Sequence, residues 1–136
     1  LAEIRRHLAA AYPSEGCGFL LGTRGPNGNV VVHRELPVPN RRAADGGERT
    51  RYLIGPEEFL AAEREARRAG LVVVGTYHSH PDVPARPSAY DTEHAWPWCC
   101  YLIASVAGGD VREERVWELR DDRSGFIERE LDVKES

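Results

Sequence analysis

The chain has 136 residues, 41% of them hydrophobic and 29% charged, with a formal net charge of -4. That length and composition suit one soluble α+β domain over residues 1–136, able to bury a continuous core without disulfides. The acidic balance counts against nucleic acid as the main partner, and the lack of a signal peptide or membrane-length apolar run counts against secretion and membrane insertion.

Residues 2–12 are rich in Ala and Leu and set Ile4, Leu8 and Ala11 on one helical face, with Pro13 as the stop. His7 on this helix is expected at the surface. Residues 17–21 predict a strand and 22–28 a glycine-rich turn. Residues 29–38 predict the returning strand, with Val30 and Val32 alternating against Val31 and His33, the last on the sheet surface. Residues 39–51 hold Arg41, Arg42, Arg49 and Arg51 around a Gly pair, the composition of a mobile, solvated loop. A short strand is expected over 52–54. Gly55-Pro56 opens a helix to about Ala69, with a half-buried face of Phe59, Leu60, Ala62, Glu63 and Ala66 and a cap at Gly70.

The second half begins with Leu71-Val72-Val73-Val74, a short β-branched run that reads as a buried strand. A helix is expected from Ser88 to about Trp96, stopped by Pro97. Residues 98–106 are apolar and predict a central strand. Gly108-Gly109-Asp110 is a turn, residues 111–120 a half-exposed strand, and residues 126–133 a strand that closes an edge. Three cysteines, Cys17, Cys99 and Cys100, form no disulfide framework and suggest a reducing, cytoplasmic compartment. Cys99 and Cys100 are adjacent on a strand, so their thiols point to opposite faces and read as small buried hydrophobes. With no Met anywhere, the first residues of the natural product are expected to have been removed or omitted. The sum is a mixed β-sheet flanked by helices.

The chemistry gathers after the β-branched run, in Gly75-Thr-Tyr-His-Ser-His-Pro-Asp-Val-Pro-Ala-Arg-Pro-Ser-Ala-Tyr-Asp91. His78 and His80 are two apart on a strand, so both imidazoles share a face with Cα atoms roughly 6.6 Å apart. Two ring nitrogens can then meet on one Zn²⁺, and Asp91 from the following turn offers a third ligand. Two imidazoles and a carboxylate, with water in the fourth place, are a ligand set typical of catalytic zinc. The same residues admit a plainer reading, since Ser88-Ala-Tyr-Asp91 is also an ordinary helix capping box.

His78-Ser-His80, then seven residues, Ser88, two residues and Asp91 resembles the JAMM (MPN-plus, JAB) metalloprotease signature. Pro13-Ser14-Glu15-Gly16-Cys17-Gly18 is similar to the upstream segment that carries the family's glutamate. The resemblance implies a cytidine-deaminase-like sandwich fold, Zn²⁺ on His78, His80 and Asp91, Glu15 as general base, and Ser88 as a hydrogen-bond donor to the oxyanion. Whether Ser88 serves the oxyanion or only caps the helix stays open. His94, three residues after Asp91, is a candidate to support the ligands from behind, and Trp96 and Trp98 either wall the pocket or fill the core. The family places the 39–51 insertion beside the substrate groove.

Small stand-alone members of bacterial type imply a partner: a ubiquitin-like, β-grasp sulfur-carrier protein, cut at the amide bond after its C-terminal Gly-Gly. Two alternatives remain, an isopeptidase that removes ubiquitin-like modifiers from lysines and a non-catalytic MPN scaffold. A zinc nucleoside deaminase is disfavoured, because it needs a Pro-Cys-x-x-Cys pair that the chain lacks.

Overall fold

The structure is a computed structural model that describes residues 1–26, 29–38, 55–88, 91, 95 and 99–130. Its elements run α1 (Ala2–Ala11), β1 (Cys17–Arg24), β2 (Val30–Val38), α2 (Pro56–Arg68), β3 (Val72–Pro81), β4 (Cys100–Ala107), β5 (Asp110–Leu119) and β6 (Phe126–Arg129). The six strands form one sheet in the order β2-β1-β3-β4-β5-β6. Among the described strands only β3 and β4 run parallel; the other neighbours are antiparallel.

Strand alternation sends successive side chains to opposite faces, and each face finds its own helix. Ile4 and Leu8 of α1 pack on Leu20, Val74, Tyr77 and Leu102. Ala62 and Ala66 of α2 pack on Cys17, Phe19, Leu21 and Val73 across the sheet. A third cluster joins Ala95, Cys99, Tyr101 and Leu119 near the β5–β6 edge. The helices are thus held by burial of small and branched side chains, at about 25 cal/mol per Å² of apolar surface removed from water. α2 ends where Gly70, at φ 73°, takes the left-handed conformation that a branched residue resists, with its N–H donated to the Arg67 carbonyl.

Several expectations need correction. β1 does not stop at Leu21: Gly22, Thr23 and Arg24 go on pairing with β2 past a bulge, so the turn starts later than predicted. β2 shows no clean alternation, because Val31, Val32 and His33 are all exposed on this edge strand. His7 is not a surface residue. It is half-buried, and its Nδ1 lies 2.9 Å from the Tyr77 hydroxyl. Tyr77 can reach it because its cross-strand partner is Gly18, where a Cβ would lie 2.4 Å from the phenol ring. Residues 39–54, 92–94, 96–98 and 131–136 lie outside the described residues. With them fall the arginine loop, the 52–54 strand and the readings of His94, Trp96 and Trp98, whereas the last strand ends at Arg129, short of the expected 133, and Ala95 is not helical.

Candidate metal centre

β3 carries both histidines, and burial along it is nearly unbroken from Val73 to His80. The ladder fixes what surrounds them. Residues paired across neighbouring strands share a sheet face, so Cys17 on β1, His78 on β3 and Ile103 on β4 form one row. His80 lies two residues along the same face, paired with Ser105 of β4. Asp91 enters from the connection between β3 and β4, in helical backbone.

The three side chains converge. His78 Nε2 is 3.2 Å from Asp91 Oδ1, His80 Nε2 is 3.1 Å from Asp91 Oδ2, and the two Nε2 atoms are 3.2 Å apart. A tetrahedral ion with bonds of about 2.1 Å spaces its ligands about 3.4 Å apart, close to this triangle. All three residues are buried, and among the described residues they are the one group of His, Cys, Asp and Glu side chains whose ligand atoms come close enough to hold a metal ion. The tautomer suits the task as well. His80 Nδ1 lies 3.0 Å from the Pro84 carbonyl oxygen; a carbonyl only accepts, so Nδ1 carries the hydrogen and Nε2 keeps its lone pair for a cation.

Charge in the cluster is polarised even without an ion. Burial alone would raise the Asp91 pKa, but His78, His80 and the Ser88 amide outweigh it and hold the carboxyl well below its usual range. Burial pushes His78 down, toward the neutral ring. Burial acts the same way on His80, yet hydrogen bonds to Asp91 and Pro84 and the charges of Asp91 and Glu15 leave its pKa raised. The Asp91 carboxylate thus favours a positive charge at His80, the sign of charge that a divalent cation would bring.

Ser88 sits as a capping box predicts. Its N–H donates to Asp91 Oδ2 at 2.8 Å, and its hydroxyl accepts the Asp91 N–H at 3.1 Å. Accepting that bond occupies a lone pair of the hydroxyl and leaves its hydrogen out of the cap. Capping and donation to an oxyanion thus draw on different parts of one group.

Glu15 lies in the segment between α1 and β1 and is only 8% exposed. Continued two residues beyond Cys17↔His78, the β1–β3 register sets Glu15 opposite His80. That approach is secured from both sides. The Gly16 N–H donates to Ser79 Oγ at 2.9 Å, and the Ser79 N–H donates to the Gly16 carbonyl at 3.0 Å. Tyr12 also donates its hydroxyl to the Asp82 carboxylate at 2.8 Å, tying the chain before Glu15 to the chain after His80. Sequence reading passed over Ser79 and Tyr12. The position of Ser79 between two candidate ligands was the available signal, since alternation aims it to the opposite face.

Comparison with known proteins shows the family and the fold. The family described as prokaryotic homologs of the JAB domain matches residues 1–120. A desampylase of Haloferax volcanii is 38% identical over 109 residues, spanning 79% of this chain and 74% of that protein. A probable TtuB-protein conjugate cleaving protease of Thermus thermophilus is 38% identical over 108 residues, 79% of this chain and 67% of the relative. Among solved structures, a Desulfitobacterium hafniense protein is 33% identical with a TM-score of 0.83 over 99% of this chain and 88% of its own. A JAB1/MPN domain protein of Archaeoglobus fulgidus, at 23% identity, shares the fold with a TM-score of 0.56 over 96% of each chain. Since that family match runs over most of its length, residues 1–120, the chain belongs to the prokaryotic homologs of the JAB domain.

Proposed function

We propose that this chain is a zinc-dependent peptidase that hydrolyses the amide bond after the C-terminal Gly-Gly of a small ubiquitin-like, β-grasp sulfur-carrier protein, acting as one domain in the cytoplasm. The observation that carries the reading is the buried His78–His80–Asp91 triangle, already spaced for an ion, with the charge of Glu15 acting on His80. The names of the two curated relatives support the reaction class, and one of them speaks of cleaving a protein conjugate.

Zinc held by His78, His80 and Asp91 would supply Lewis acidity, enough to bring the ionisation of water near neutral pH. Glu15 then takes the proton of the attacking water and hands it to the leaving amine, a role worth about 10²–10⁴ in rate. Its low exposure keeps competing solvent away from that transfer. The Ser88 hydroxyl donates to the oxyanion that develops on the scissile carbonyl. The substrate's Gly-Gly tail has no side chains to clash and can enter extended, held by backbone hydrogen bonds.

A second reading, an isopeptidase acting on lysine conjugates, is favoured by the relative named for conjugate cleavage. One experiment decides among the readings. The purified chain is incubated with a linear carrier–cysteine adduct and with an ε-linked carrier–lysine conjugate, with and without chelator, and the products are weighed by mass spectrometry. Cleavage after Gly-Gly of the linear adduct, lost with chelator and restored by zinc, is expected. Cleavage of the ε-linked substrate alone would select the isopeptidase. A chain that takes up no zinc and cuts neither would leave a non-catalytic scaffold.

A further inference from the structure

The loop that follows His80 is held by side chains of β5. Across the β3–β4–β5 ladder His80, Ser105 and Glu113 form one row, and Thr76, Tyr101 and Trp117 form another. Glu113 and Trp117 therefore stand on the sheet face that carries the metal cluster. Ala85 bridges them. Its N–H donates to Glu113 Oε1 at 3.2 Å, and its carbonyl accepts from Trp117 Nε1 at 3.0 Å. The Ala85 side chain is fully buried, so the peptide is fixed on three sides. Glu113 is steadied in turn by Arg115 at 3.1 Å, and Arg115 by Glu128 at 3.0 Å.

The residue before Ala85 supplies the carbonyl that receives His80 Nδ1–H. Proline has no N–H, so that carbonyl is its one backbone hydrogen-bonding group. The carbonyl lies in the peptide plane it shares with the Ala85 nitrogen, and it also accepts the Arg86 N–H at 2.9 Å. We propose that Glu113 and Trp117 are positioning residues for the metal ligand His80: by clamping both polar groups of Ala85 they aim the Pro84 carbonyl, which selects the ring's tautomer and orientation. This rests on the reading of the triangle as a metal site. It adds two residues, 33 and 37 positions beyond His80 in the chain, that are not among the three ligand side chains.

The test uses the full chain with Trp117→Phe, Glu113→Ala and Glu113→Gln, and Glu118→Gln as a control that breaks the Arg129–Glu118 pair on the same strand. Zinc affinity is read by competition with a chelating dye. The His80 tautomer is read from its ring ¹⁵N shifts in metal-free protein at alkaline pH, where the ring is neutral. Trp117→Phe and Glu113→Ala are each expected to weaken zinc binding about 10-fold or more and to loosen the Nδ1–H preference. Glu113→Gln keeps an acceptor for the Ala85 N–H and should rescue both, and the control should match wild type. Excess zinc should restore turnover to the weakened variants. Folded Trp117→Phe and Glu113→Ala proteins that hold zinc as tightly as wild type, with His80 unchanged, would overturn the proposal. Should Trp117→Phe fail to fold, Glu113→Ala, at a partly exposed position, decides alone. A wild-type chain that takes up no zinc would overturn the metal reading instead, and the tautomer measurement would still judge the clamp.

Discussion

The charge of Glu15 acts on the His80 ring, and both residues are nearly closed to solvent, at 8% and 6% exposure. The carboxylate is not among the three groups that form the metal triangle, so its chemistry separates cleanly from theirs. Glu15→Gln should keep one zinc per chain and the wild-type fold while losing about 10²-fold or more in turnover. Metal analysis beside a cleavage assay checks this, and a variant as active as wild type removes Glu15 as the base.

Ser88→Ala tests the double use of one hydroxyl. Loss of the cap to the Asp91 N–H should lower stability by about 1 kcal/mol, read as a shift in urea midpoint. Loss of the donor should also cut turnover by about 10²–10³ with zinc retained. Ser88→Thr keeps the hydroxyl and should recover much of both. An alanine variant that is less stable yet fully active would assign Ser88 to capping alone.

The metal-free protein should carry a pH signature of Asp91. Its pKa is lowered in the folded state, so its contribution is fully present above the unfolded value of about 3.9 and is lost as pH falls through the folded value. Metal-free Asp91→Asn lacks this term. The stability advantage of wild type over Asp91→Asn, measured by denaturant titration between pH 5 and pH 2, below the range in which His80 titrates, should therefore shrink as pH falls. An advantage that stays constant or grows on acidification would contradict the assigned charge state. Zinc affinity should fall over the acid range as well, because protons compete for His78 and His80.

Gly18→Ala should destabilise the protein by about 1–3 kcal/mol, because the new methyl group would enter the ring of Tyr77. The ring must then tilt and lose its contact with His7. Tyr77→Leu in the same background should recover part of the loss, and a Gly18→Ala protein of unchanged stability would show that the ring yields freely.

Much of the site could be read along the chain because its ligands are local. His78 and His80 share a strand face by alternation, and Asp91 follows by a connector that carries its own capping signal. The fold class was legible for a related reason, since β-branched runs, glycines and prolines mark most element ends. What escaped was encoded between elements. The Gly16–Ser79 bond spans 63 residues and the His7–Tyr77 contact 70, and no local period reports either. β1 outran its predicted end because Gly22 reads as a turn in isolation, whereas pairing with two neighbours keeps it extended.

The one parallel step in the sheet has its own corollary. Antiparallel neighbours can be joined by a tight reversal, but side-by-side strands of equal direction oblige the chain to travel back the length of the sheet, here over residues 82–99. That return journey carries Pro84, Ser88 and Asp91. An insertion or deletion within it would shift the acid and leave the imidazoles where the strand puts them. Length variants of the crossover should accordingly fail through their carboxylate first, as weak two-histidine binders that still fold.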